Sequence, residues 1–171
     1  MAEDFAVLKA ALKRAVRKDF RQSWQFRLEV ESEPHDFDLF VKDITYGPLE
    51  LTTEAAEYGG QVVTWPKGRA PVELSMTLRD DESEIVAKWF DAWALKVVNL
   101  DGTVNLQGEY VRKVKRYHIA MDHRSEEVRE TWTMYPVRRG DVVYSYENGG
   151  HLEFQATFVQ FRTNEMEGEG Q

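Results

Sequence analysis

The sequence predicts a mainly β domain, an antiparallel sandwich or barrel with an N-terminal helix and one flanking helix. Three observations carry that reading. Apolar and polar residues alternate strictly over 23–30 and 72–79, an Asn148-Gly149 pair separates two further strand-like runs, and only 3–20 and 80–93 show a helical period.

Taken in order, Phe5, Leu8, Leu12, Ala15 and Val16 form an apolar stripe over 3–20, with Asp4 as N-cap and basic residues on the other face and toward the end. The stripe has two open readings: it packs on its own domain, or it is an arm docking on a neighbour. From Ser23 the period becomes two, with Trp24, Phe26, Leu28 and Val30 on one face. Ser32 to His35 turns the chain, and Phe37, Leu39 and Val41 then alternate with Asp38, Phe40 and Lys42, which predicts a hairpin with the preceding strand. Residues 43–71 hold Gly47-Pro48, Gly59-Gly60, Pro66, Gly68 and Pro71 among short apolar fragments. A compact domain rarely carries so long an excursion without a use, so this segment is expected to be a surface loop or a protruding hairpin that contacts another subunit.

Val72, Leu74, Met76 and Leu78 restore a strand. The acidic run Asp80-Asp81-Glu82-Ser83-Glu84 then opens a helix whose face is Ile85, Val86, Trp89, Phe90 and Trp93. After a turn at Asp101-Gly102, residues 111–121 and 127–134 are expected to pair through the charged segment 122–126, with Val128, Trp132 and Met134 on one face. Residues 142–146 and 152–161 flank the Asn-Gly turn. The domain runs over 1–162, and 163–171, rich in Glu and Gly, is expected to be a flexible acidic tail.

The chain has 171 residues, 42% of them hydrophobic and 30% charged, within the range of soluble globular domains. No apolar run approaches the roughly 20 residues of a spanning helix. Lysines and arginines break up the first 20 residues, against a signal peptide. Without cysteine there is no disulfide, thiol nucleophile or thiolate metal site. A formal charge of −8 opposes a sequence-independent grip on nucleic acid. The expectation is an acidic domain assembled inside the cell.

Catalytic chemistry finds little support. His35, His118, His123 and His151 show no ligand spacing, the serines lack a nucleophile elbow, and no phosphate-cradling glycine loop is present. Carboxylates are too abundant for their number to identify a catalytic pair. Arg139-Gly140-Asp141 reads as a turn rather than an adhesion signal. Basic residues at 112, 113, 115 and 116 alternate between strand faces and make no single stripe. Neither cofactor nor metal is expected, and a structural protein fits better than an enzyme.

The order of these features resembles the tail tube proteins of contractile-tailed bacteriophages, whose fold is shared with contractile bacteriocin tubes and the haemolysin-coregulated protein of type VI secretion. The resemblance runs through the helix and hinge 5–21, the strand Ser23 to Val30, the Gly/Pro-rich excursion 44–71, the strand Val72 to Leu78 and the helix Asp80 to Trp93. It ends on Trp132-Thr133-Met134-Tyr135-Pro136, Asp141 and Leu152 to Phe158. It spans nearly the whole chain as an order of features, with no single specific motif.

That resemblance implies a structural virion subunit, assembled in the host bacterial cytoplasm. It would form hexameric rings that stack into a tail tube carrying DNA during ejection. Its partners would be copies of itself, the tail sheath and baseplate hub proteins. The tape measure protein and DNA would pass through without specific binding, and no membrane would be involved. On this reading Phe5, Leu8, Leu12, Lys13, Val16 and Arg17 form a ring-stacking arm. Glu54, Tyr58, Trp65 and Lys67 lie on an inter-subunit loop, and Asp81, Glu82 and Glu84 face the sheath. The alternatives are a baseplate hub or tube initiator of the same fold, a type VI secretion-like tube and, from another class, a monomeric ligand-binding β-barrel with an apolar internal pocket.

Overall fold

A computed structural model describes residues 21–120, 125–144 and 150–163. In chain order the elements are β1 (Phe26–Val30), α1 (Phe37–Phe40), β2 (Val41–Tyr46), β3 (Leu51–Tyr58), β4 (Gln61–Arg69), β5 (Glu73–Arg79), α2 (Ile85–Val97), α3 (Gln107–Tyr110), β6 (Arg112–Ile119), β7 (Glu126–Arg139) and β8 (Glu153–Gln160). Six strands form one antiparallel sheet in the order β1-β6-β7-β8-β5-β2, and β3 and β4 form a separate two-stranded sheet. The mainly β, antiparallel architecture with a flanking helix is therefore as the sequence predicts. The 3–20 helix and the 163–171 tail fall largely or wholly outside the described residues.

One face of the large sheet is the core. Leu28 and Val30 of β1, Val114 of β6, Trp132 and Met134 of β7, Phe154, Ala156 and Phe158 of β8, and Leu74, Met76 and Leu78 of β5 are buried on it. Helix α2 covers this face with Val86, Phe90 and Trp93. The rings of Phe90 and Trp93 sit 5.5 Å and 5.2 Å from that of Phe158. Burying three large side chains contributes roughly 5–9 kcal/mol as an upper figure. The Trp93 indole N–H is satisfied by the Tyr110 carbonyl at 2.6 Å, so its polar end costs nothing when buried.

Four local expectations are corrected. Residues 37–40 are a helical turn, not a strand. Phe37 and Phe40, three apart, both turn to the core, while Leu39 is 73% exposed. Strand β2 pairs with β5 rather than β1, so β1 and β2 form the two ends of the sheet instead of a hairpin. Residues 141–144 form no strand, and their Asn-Gly turn lies outside the described residues. The 111–121 and 127–134 pairing forms as β6 and β7. There the register steps from Arg116↔Glu130 to Tyr117↔Val128, a bulge at Arg129 that moves Val128 to the solvent face.

Candidate assembly surfaces

The ends of the sheet come first. Strand β2 curls over the core face until the Tyr46 ring stands edge-on to Trp132 of β7, centroids 5.1 Å apart. Its hydroxyl donates to the Glu130 carboxylate at 3.0 Å. Arg116 of β6, buried except for 5% of its surface, donates to the same carboxylate and lies under the Tyr46 ring. Burial and the hydrogen bond to anionic Glu130 both push the Tyr46 hydroxyl above its ordinary pKa. Burial pulls the Arg116 guanidinium down, but its bond and attraction to Glu130 outweigh that and leave it raised.

Between β1 and β2 remains a cavity of about 830 Å³, lined by residues including Trp24, Gln25, Leu28, Val41, Ile44 and Tyr46, with Arg21, Arg27, Asp38, Lys42 and Asp43. A monomeric ligand-binding barrel would present an apolar interior; this charged, open cleft between two strand edges does not. Each of β1 and β2 has one paired neighbour among the described strands, leaving its other edge to template a further strand.

The second surface is the face of the sheet away from α2. Hydroxyl and amide groups occupy its middle (Thr131, Thr133, Ser75, Thr77, Gln155 and Thr157), and paired charges lie nearer its ends. Lys115 meets Glu29 at 3.2 Å across β6 and β1, and Arg27 meets Glu126 at 2.6 Å. Lys42 and Arg79 share Glu153 at 2.7 and 3.1 Å. Hydrogen bonds from Tyr117 and then Lys115 hold the Glu29 carboxyl below the ordinary carboxylate range, and those from Lys42 and Arg79 do the same for Glu153. The surface is polar, with acids and bases largely matched.

The third surface is the β3–β4 hairpin, which holds the residues expected to contact another subunit. Gly59 and Gly60, with φ of 58° and 82°, make the two-residue turn that matches strand twist, a conformation other residues rarely adopt at both positions. The register puts Tyr58 opposite Gln61, Ala56 opposite Val63 and Glu54 opposite Trp65, all on one side. Tyr58 is 65% exposed and Trp65 38%, and Lys67 reaches Glu54 at 3.8 Å. All four expected loop residues thus lie on one solvent-exposed hairpin. A lone two-stranded hairpin is marginal in water, so one with exposed apolar side chains is suited to a partner.

The acidic run divides its labour. Asp80 accepts the backbone N–H groups of Val86 and Ala87 at 3.1 and 3.0 Å, and Asp81 those of Ser83 and Ile85 at 3.1 and 3.2 Å. Glu84 sits at the N-cap position with φ of 54° and makes no side-chain cap, and Glu82 and Glu84 are exposed. Asp81, expected to face outward, is therefore also a helix cap. Phe5, Leu8, Leu12, Lys13, Val16 and Arg17 lie outside the described residues. The sequence reading missed the Tyr46–Glu130–Arg116 cluster and the exposed loop after α2, neither of which has a periodic signature.

Among the described residues, no group of three His, Cys, Asp or Glu is placed to hold a metal ion, and no helix is long and apolar enough to cross a membrane. No protein-family model matches the chain, and no curated protein matches it in sequence. Solved structures do match it. A chain of the PVC sheath/tube terminator of an extracellular contractile injection system, in its extended state, superposes with a TM-score of 0.60 at 12% identity, covering 85% of this chain and 95% of that one. This chain has the fold of contractile injection system components. A chain of the PVC sheath-tube complex gives 0.59 at 10% identity over 88% and 93% of the two chains. A chain of the anti-feeding prophage cap, a tube-terminating cap, gives 0.60 at 12% over 84% and 88%. The tail-tube resemblance read from the order of features agrees with this likeness of fold.

Proposed function

We propose that the protein is a structural, non-catalytic subunit that forms hexameric rings stacking into the inner tube of a contractile phage tail, with DNA passing through the lumen. The carrying observation is the six-stranded sheet with, among the described residues, an edge left open at either end. Because its strands alternate and are even in number, β1 and β2 run antiparallel to each other. Adding β2 of one copy to β1 of the next therefore continues the antiparallel order around a ring without a break. Such closure hides the edges that a strand-rich chain must otherwise protect.

The face opposite α2 would then line the lumen. Its matched charges and hydroxyl-rich middle give a polyanion or a protein cargo no strong patch to stick to. The remaining acidity of the chain, at −8, opposes binding of DNA. Helix α2 would face outward, and Glu82 and Glu84, which the helix does not need as caps, would meet a basic element of the sheath. The baseplate hub would seat the first ring.

A second reading is favoured by one observation: two of the structures with this fold are a tube terminator and a tube-terminating cap. On that reading the ring closes the end of a tube built from another protein. Electron microscopy of the purified protein separates the cases. Tubes of stacked six-fold rings support the repeating subunit, and isolated rings that never stack support the terminator. Monomers of 19.9 kDa at high concentration overturn both.

A further inference from the structure

We propose that the N-terminal segment, residues 1–20, lays its apolar stripe in the cleft between β1 and β2 of its own copy. The path of the chain is the first argument. Arg21, Gln22, Ser23, Trp24 and Gln25, which follow the segment directly, all line the cleft. The Gln25 backbone N–H donates to the Gln22 carbonyl at 3.2 Å, so the chain reaches β1 by bending at the rim. Val16 stands five positions before Arg21. So short a tether holds the stripe at a high effective concentration beside this cleft rather than a neighbour's.

The surfaces also match in size and polarity. Val41, Ile44 and Tyr46 of β2 pack on the core yet stay half-buried, and they line the cleft together with Phe26 and Leu28 of β1. The sequence predicts a helix over 3–20, and from Phe5 to Val16 such a helix runs about 17 Å, close to the span of β1 and a little under that of β2. It would do for the ends of the sheet what α2 does for the middle. The bases that line the cleft already have partners: Arg27 pairs with Glu126, Lys42 with Glu153 and Arg116 with Glu130. Asp38 and Asp43, on the same lining, are in no ion pair among the described residues. The segment brings Lys9, Lys13 and Arg17, spaced four apart along one flank of its stripe, to meet them.

The segment would rest on side chains of the core face. The backbone edges of β1 and β2 stay open to neighbouring copies, so the contact goes beyond the ring-forming reading and is tested apart from it.

Because the natural chain has no cysteine, paired thiols introduced into the full chain report this contact alone. With Ile44→Cys as the fixed partner, cysteines placed in turn at Phe5, Leu8, Leu12 and Val16 should give at least one pair that oxidises within the chain and runs as a monomer without reductant. R14C/I44C, with Arg14 on the far side of the predicted helix, and L12C/L100C should stay reduced; Leu100 is 95% exposed on the loop after α2 and outside the cleft lining. No internal cross-link from any of the four positions overturns the contact, as does equal oxidation of the two controls. Covalent dimers in place of the internal cross-link show that a second copy supplies the segment, which overturns it too. The variant L8D/L12D needs no thiol: its melting temperature should fall by about 5 °C or more, and an unchanged melt overturns the contact. Rings formed by chains that never cross-link refute the cleft contact alone, and cross-linked chains that never assemble refute the ring alone.

Discussion

The Tyr46 hydroxyl donates to the Glu130 carboxylate at 3.0 Å, joining an end strand of the sheet to one near its middle. Arg116, donating to the same carboxylate from inside the core, gives that link its charge balance. Tyr46→Phe removes one hydrogen bond to a charged group, an expected loss of about 1–2 kcal/mol. For a chain of this length the melting temperature should fall by roughly 2–8 °C. Glu130→Ala leaves a buried guanidinium unpaired and should cost more, about 3–5 kcal/mol. Thermal melts of the two variants check the order; equal losses would mean that water reaches Arg116.

Asp80 ends the loop before α2 by accepting two of the helix's first free N–H groups. Asp80→Ala should destabilise the domain by about 1–2 kcal/mol. The double variant E82Q/E84Q should stay within about 0.5 kcal/mol of wild type, as exposed positions do. If those glutamates meet the sheath, the double variant forms normal tubes that take up sheath poorly. Denaturant titration and co-assembly read the two effects separately.

Glu29 is held below the ordinary carboxylate range by Tyr117 and then Lys115. A depressed carboxylate contributes stability that is present above its unfolded pKa, about 4.3, and is lost as pH falls through the lower folded value. Tyr117→Phe should therefore lower stability above about pH 5, with the gap from wild type closing in acid. Melting temperatures from pH 3 to 7 test the sign; a gap that widened in acid would refute this account of Glu29.

The N-terminal segment offers a test of stacking. Truncation before Asp19 should lower the melting temperature, by uncovering the cleft between β1 and β2, and leave rings that no longer stack. K13E/R17E should weaken stacking, with added salt restoring part of it as the new repulsion is screened. Microscopy alongside circular dichroism melting decides. A truncated chain that melts like wild type would mean that the apolar stripe serves a neighbouring copy instead of its own.

What the sequence reveals here follows from repetition. β1, β5 and α2 have periodic faces that one short motif cannot imitate, and Leu28, Leu74, Met76, Val86 and Phe90 are buried where period places them. Short or interrupted segments mislead. Phe37, Leu39 and Val41 alternate like a strand, yet a four-residue helical turn uses the three-residue spacing of Phe37 and Phe40. Val128 shares parity with Trp132, but one extra residue at Arg129 reverses its face. Gly59-Gly60 between two short apolar runs was the available signal for the hairpin. Leu100 had none, because its exposure depends on how Asn99, Asp101 and Thr103 fold the loop beneath it.

Segment 31–40, from the end of β1 to the start of β2, has a further consequence. It is the short tether between the two ends of a sheet that otherwise takes most of the chain to traverse. The gap between those ends is therefore adjustable at one place, outside the buried strands and away from the hairpin. On the proposed ring, adding or removing a residue at the exposed turn of His35 and Asp36, short of the buried Phe37, would act like changing the wedge angle of a stone in an arch, altering how many copies close a circle while each copy keeps its own interior.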